Sequence, residues 1–334
     1  MYKLIQTESD HISNIIDFSQ LQNKKILITG ASGLVGLFMI SSIAKHVKDY
    51  NIELWTWTNT PIESNVLPLF NRCHFVTGDI CDLSLMESLP TFDVIIHSAG
   101  YGQPSKFLDN KIKTIQINTT ATIELFKHLV LGGKFLYISS SEVYNGLDIS
   151  HVSEDMMGST NTDSPRSCYI EGKKCGEAIC NIYKNMGYDV KIARLCLAFG
   201  PGTKVSDQRV INTFIKNALT EHRILLLDHG DAVRTYCYIT DAVEMMWKIL
   251  LYGKHVIYNI GGESTTTILD LAKTVGNLLD VEVKLPSIPI PLVGNPKIVN
   301  IDCSRYHQEF DKKCFIDLET GINKTIQWQK QLFL

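Results

Sequence analysis

The 334-residue sequence predicts an α/β fold: a doubly wound parallel sheet with a smaller C-terminal substrate-binding domain. Three observations carry this expectation. Short apolar strands alternate with helical stretches throughout 24–195. A glycine-rich turn stands directly after the first strand. Beyond about 196 the elements shorten and are punctuated by Gly200-Pro-Gly202, Gly261-Gly262 and Pro286-Ser-Ile-Pro-Ile-Pro291. The expected organisation is an extension over 1–23, a dinucleotide-binding domain over 24–195, and a lobe over 196–334 that mainly binds substrate, with some interleaving.

Within the extension, Ile12, Ile15, Ile16 and Phe18 line one face of a short helix. Strands are expected at 25–29, 52–57, 73–76, 93–97, 134–139 and 190–195. Helices are expected at 34–46, 110–131 and 167–186.

Composition narrows the function. Apolar residues make up 45% and charged residues 20%, the balance of a globular protein, which excludes a disordered or coiled-coil chain. Thirty-two basic residues against 35 acidic ones leave a net charge of -3, which argues against nucleic acid as a partner. No apolar run approaches the ~18 residues of a membrane helix, and the N-terminus lacks a signal-peptide pattern, so no membrane partner is expected. The nine cysteines are odd in number and never spaced CxxC, which points to reduced thiols in a cytoplasmic protein with no metal site.

Gly30-Ala-Ser32-Gly33-Leu34-Val35-Gly36 opens the first sheet-domain helix. The first glycine permits a tight turn, the second lets backbone N–H groups approach a pyrophosphate, and the third lets helix and strand pack closely, as in a Rossmann-type dinucleotide site. The GxxGxxG spacing resembles the short-chain dehydrogenase/reductase group. At the end of the second strand, Trp55-Thr-Trp-Thr58-Asn59 offers neither a carboxylate for the ribose hydroxyls nor an arginine for a 2′-phosphate; the missing arginine favours NAD. The resemblance implies that Asp79, with Ile80, meets the adenine, and that Ser98-Ala99-Gly100, after the fourth strand, passes close to the cofactor. Asp82 reads as a helix cap.

Tyr169-Ile-Glu-Gly-Lys173 places a phenol and an ammonium on one helix face. The ammonium favours phenolate, so Tyr169 is expected to take a proton from a sugar hydroxyl, with Lys173 also holding the nicotinamide ribose. The fifth strand ends Ser139-Ser140-Ser141-Glu142. Ser140 is the hydroxyl expected to share the substrate oxygen with Tyr169. Ser139 is expected beside the cofactor and Ser141 on the substrate, and the resemblance to the short-chain dehydrogenases implies that Asn118 orders a helix and a relay water.

This set resembles the extended short-chain dehydrogenases that modify nucleotide sugars, over about 24–330, and among them the UDP-glucuronate decarboxylases. Ser141-Glu-Val-Tyr144 is similar to their TSEVY block, and Ser164-Pro-Arg-Ser-Cys-Tyr169-Ile-Glu-Gly-Lys173 to PRxCYDEGK. Arg209-Val-Ile-Asn-Thr-Phe-Ile215 is similar to RVVSNFI, and Arg234-Thr-Tyr-Cys-Tyr-Ile-Thr-Asp241 to RxFxYVxD. The resemblance implies a nucleotide-sugar substrate, with Arg209 and Arg234 as its diphosphate clamps, and a homodimer joined through the helices expected at 110–131 and 167–186. It implies oxidation at the hexose C4 by NAD and then chemistry at C5, for which Glu142 is the telling residue. Decarboxylation is the leading expectation; 4,6-dehydration, 4-epimerisation and a non-catalytic NAD-binding role are the alternatives. The chain departs from the pattern at Arg194-Leu-Cys-Leu197-Ala-Phe-Gly-Pro201-Gly202, where the relatives read RIFNTFGPRM: the asparagine is Leu197, and no arginine follows Pro201.

Overall fold

The computed structural model describes residues 2–147, 151–289 and 298–334; Ile290 and Pro291 of the proline-rich run lie outside the described residues. Six strands of the main sheet come in chain order: β1 Lys25–Thr29, β2 Glu53–Thr58, β3 Cys73–Thr77, β4 Phe92–His97, β5 Leu129–Ser140 and β6 Asp189–Leu195. Then follow β7 Leu197–Phe199, β8 Arg223–Leu225, β9 Val233–Tyr238 and β10 Ile257–Ile260. The helices are α1 Tyr2–Ile15, α2 Leu34–Ile43, α3 Leu83–Glu87, α4 Pro104–Asp109, α5 Lys111–Asn118, α6 Thr120–Lys127, α7 Ser167–Asn185, α8 Val210–Glu221 and α9 Ile239–Tyr252.

The seven-stranded sheet runs β10-β6-β5-β4-β1-β2-β3, parallel throughout. Its inner strands are buried on both faces, hence unbroken apolar runs such as Ile26, Leu27 and Ile28; the edge strand β3 is partly exposed. The order reverses between β1 and β4, which opens a crevice at the carboxyl ends of those strands.

Two expectations are revised, for the helix at 110–131 and for the fifth strand. The helix expected at 110–131 is two helices broken at Thr119 (φ -117°, ψ -75°) and finished by Lys127. There Asn118, Thr119 and Thr122 bond by side chain to carbonyls four residues back, in competition with the helical ladder. The fifth strand starts at Leu129: a register shift takes its pairing from Phe92–Leu129 to Val94–Lys134, so only its regular part reads as a strand in sequence. The segment before residue 24 forms α1 and packs on the main core. Ile5, Ile12, Ile16 and Phe18 are buried in the main core and Ile15 is exposed; Ser13 is hydrogen-bonded to the Ser42 carbonyl. Finally, the chain returns after residue 256 to add β10 beside β6.

Two buried polar groups hold the strand ends that face the crevice. The Ile117 carbonyl can only accept, so Nε2 of His97 donates to it (3.1 Å), and Nδ1 accepts from the Thr29 hydroxyl (2.8 Å). Burial, with the nearby Lys173 charge, pushes His97 down to about 3. On β6, Arg194 is 2% exposed. It donates to both Glu177 oxygens (Nε at 3.0 Å, Nη2 at 2.7 Å), to the Tyr144 hydroxyl (2.9 Å) and to the Glu154 carbonyl (2.9 Å).

Replacing one member of such a buried pair strands the other. Arg194→Met is expected to cost about 3–5 kcal/mol of unfolding free energy by urea titration. A loss below about 1 kcal/mol, the scale of a surface pair, would refute the structural weight placed on it. For His97 the ordinary value is 6.5, so the unfolded chain takes up a proton that the folded chain refuses between pH 6.5 and about 3. Wild-type stability should therefore fall as pH drops through that window. His97→Gln should flatten the fall; parallel curves would contradict the neutral assignment.

Candidate active site and dinucleotide cradle

The turn after β1 is built on close backbone approach. Gly30 has φ +66°, and a Cβ there would stand 2.6 Å from the Ala99 nitrogen. A Cβ on Gly36 would stand 2.5 Å from the Gly30 carbonyl oxygen. Gly33 precedes α2 as its N-cap, so Leu34 and Val35 form the helix's first turn, whose N–H groups have no intrahelical acceptor. Ser98 donates to the Thr29 carbonyl (2.6 Å) and Ala99 N–H to the Thr29 hydroxyl (3.2 Å), which ties the end of β4 to the turn. The Gly100 backbone lies within reach of the Lys173 ammonium.

At the end of β2, the Thr58 hydroxyl is buried and has no hydrogen-bond partner among the described residues. Asp79 accepts from the Cys81 N–H (2.9 Å) and pairs with Lys113. Partial burial opposes its ionisation, yet Lys113 and that N–H hold its carboxyl below the usual range. Ile80 is buried beside it. An orphaned buried hydroxyl, a glycine cradle that any Cβ would fill and an open helix N-terminus together fit a dinucleotide.

The catalytic candidates converge at the end of β5. Ser140 caps the single turn Ser141–Tyr144, its hydroxyl accepting from the Glu142 N–H (3.2 Å). Tyr169 stacks on Phe107 with ring centres 4.7 Å apart, and the Ser140 hydroxyl is near enough to favour its ionised form. Ser141 is buried in the same turn. Ser139 points elsewhere, donating to Glu177 (2.5 Å). Asn118 accepts from the Tyr137 hydroxyl (2.9 Å) at the break between α5 and α6.

The expected effect of Lys173 on Tyr169 is revised. The Lys173 ammonium donates to the Ile138 carbonyl (2.7 Å) and lies 5.9 Å from the centre of the Tyr169 ring. Burial pushes the phenol up to about 12, against the Ser140 hydroxyl and the Arg166 and Arg209 charges. Burial likewise brings Lys173 down to about 8, against the Glu177 charge.

Sequence reasoning missed Arg166. It donates through Nε (3.1 Å) and Nη2 to the two oxygens of Glu142, and its guanidinium lies 5.2 Å from the centre of the Phe107 ring. The signal was available in Pro165-Arg166, but nothing in a linear spacing of 24 residues announces the pairing. Arg234 is close enough for its charge to feel both Glu142 and Arg166. Its Nη1 donates to the Val233 carbonyl (2.8 Å). Arg209 is held by Asp207 (Nη2 at 2.6 Å) and by the Ala198 carbonyl (3.2 Å), so part of its fork is already engaged. Arg166 thus pairs with Glu142, the charge of Arg234 reaches that pair, and the charges of Arg166 and Arg209 reach the Tyr169 phenol, a setting that favours an anionic ligand.

The chain is similar to known proteins in sequence and in fold. The chain is 27% identical over 314 residues to UDP-glucuronic acid decarboxylase 1 of Danio rerio, covering 93% of this chain and 73% of that protein. Among solved structures it resembles UDP-glucose 4-epimerase of Thermotoga maritima, solved with UDP-glucose (TM-score 0.79, 19% identity, 93% of this chain and 100% of that one). It also resembles the dTDP-glucose 4,6-dehydratase DesIV of Streptomyces venezuelae, solved with NAD (TM-score 0.79, 22% identity, 92% and 97%). The match to a family extends over residues 26–261, from β1 to just past β10, and the chain belongs to the NAD dependent epimerase/dehydratase family.

Proposed function

We propose that this protein oxidises the C4 hydroxyl of a nucleotide-linked hexuronic acid and releases the C5 carboxylate as CO2, as a UDP-glucuronate decarboxylase does. The observation that carries the reading is the Glu142–Arg166 pair beside Tyr169 and Ser140. Exchange at C4 alone needs only the tyrosine and serine; an oriented carboxylate one residue past Ser141 serves C5.

Bound NAD+ supplies the hydride acceptor at C4 and the donor that restores it. Gly30, Ser32, Gly33, Leu34, Val35, Gly36, Thr58, Asp79, Ile80 and Ser98-Ala99-Gly100 are the residues assigned to hold it, with Lys173 at the nicotinamide ribose and Asn118 and Ser139 supporting the wall. Tyr169 in its phenolate form, which the Arg166 and Arg209 charges favour against burial, receives the C4 hydroxyl proton and later returns it, while Ser140 holds the same oxygen. Once C4 is a ketone, the C5 carboxylate is β to it, and the C5–carboxyl bond breaks with its electron pair delocalised into the ketone. C5 then gains one proton from solvent. Arg166 orients Glu142 to fix the water that delivers it. Arg209 and Arg234, with Ser141, are assigned to the nucleotide-sugar side.

The nine cysteines are free, and no helix among the described residues is long and apolar enough to cross a membrane. Cytoplasmic residence belongs to the same reading. So does a homodimer: Ile112 and Ile115 on α5, Ile123 on α6, and Ile182 and Met186 on α7 are exposed.

Mass analysis after incubation with UDP-glucuronate tests the reaction. Loss of 44 mass units supports it; with UDP- or GDP-hexoses, loss of 18 would mean dehydration instead, and a stereoisomer of unchanged mass would remove the role given to Glu142. Tyr169→Phe and Glu142→Gln should each lower kcat by about 10²–10⁴-fold. Light scattering should read a dimer for wild type and a monomer for Ile182→Asp; a wild-type monomer would refute the interface.

A further inference from the structure

We propose that Lys204, on the loop after β7, is a ligand for the cofactor's pyrophosphate. The loop crosses from the second lobe to the glycine turn, where the Lys204 ammonium donates to the Ser32 hydroxyl (3.3 Å). Ser32 is the residue immediately before Gly33, the N-cap of α2. A point cation thus stands where first-turn N–H groups already favour an anion.

The lysine's surroundings do not explain it structurally. Among the described residues, that one long hydrogen bond is the ammonium's only one, and no carboxylate oxygen lies within 4.0 Å of it. An ammonium has three donors, so two remain unspent. The charge is also half-buried: burial lowers its pKa, with Glu63 opposing and Lys106 adding to the effect. Glu63, Ser32, Gly202 and Lys204 line one small cleft, closed by Trp328.

The loop is built to hold this position. Gly202 has φ +98°, and a Cβ there would stand 3.0 Å from Leu37 of α2. The Thr203 carbonyl accepts from the Trp328 indole (2.8 Å), and Thr203 bonds Asn212 (3.4 Å). The backbone on which Lys204 stands is therefore fixed from the C-terminal helix Leu318–Phe333 and from α8. Where the similar decarboxylases read arginine directly after the proline, this chain has Gly202; Lys204 returns a cation two residues later.

The assignment rests on the glycine turn holding the dinucleotide, and the test separates the two. The full chain and its Lys204→Met and Lys204→Arg variants would be titrated calorimetrically with NAD, with ADP and with adenosine. Lys204→Met should weaken NAD and ADP by about tenfold, the size of one charge-assisted hydrogen bond. It should leave adenosine, which has no phosphate, unchanged, and Lys204→Arg should restore most of the loss. Wild-type affinity for NAD in Lys204→Met overturns the lysine assignment alone. An equal loss for adenosine, unrescued by arginine, overturns it in favour of a packing role. Failure of the wild type to bind NAD overturns the cradle and the lysine together.

Discussion

The Arg194–Glu177 ion pair is the constraint on which the site depends. Glu177 lies on α7, one turn beyond Lys173, and accepts from both Ser139 and Arg194. It therefore fixes the helix bearing Tyr169 and Lys173 against the strand end bearing Ser140. Arg194 carries the constraint onward to the Tyr144 hydroxyl, which donates to Asn259 (2.7 Å) on β10. Asn259 in turn donates to Glu154 (2.8 Å) and to the Asp302 carbonyl (2.8 Å). One connected set of polar contacts thus joins the helix bearing Tyr169 and Lys173, the end of the central strand and the C-terminal part of the chain. Two desolvated charges are costly, and here each is answered by several hydrogen bonds in fixed geometry.

The charges near the phenol pose a different balance. Burial and the Glu142 charge oppose ionisation of Tyr169, and the Arg166 and Arg209 charges favour it. Glu142 neutralises one of those guanidiniums through a two-pronged contact, so the orientation of that carboxylate is set before any ligand arrives. Arg209 is likewise positioned by Asp207. The pocket's charges are arranged by their own partners, which reduces the reorganisation a substrate must cause.

What was legible in the sequence was local. β1, the glycine turn, α2 and the Tyr169–Lys173 spacing are governed by period and by residue type within a few positions, and they stand where the pattern placed them. The shift at β5 and the break at Thr119 were hidden because both depend on alternative hydrogen bonds that leave the apolar pattern intact. The Arg166–Glu142 pair, the Lys204–Ser32 contact and the return of β10 were hidden for another reason. Each joins segments far apart in the chain, and single-sequence periodicity carries no information on which distant residues meet. The segment before β1 read as an appendage because its helix is short and weakly apolar; its burial comes from α2 and α9, which pack against it.

The late return of β10 bears on how the chain is made. β6 lies inside the sheet only because residues 257–260 pair along its outer edge. During synthesis the strands from β1 to β6 are complete some sixty residues earlier, a gap visible in the strand positions. Until β10 emerges, β6 is an edge strand whose unpaired N–H and C=O groups can recruit another chain. The nascent protein therefore passes through a sticky interval that the finished fold conceals. A fragment ending near residue 200 would keep that edge open permanently.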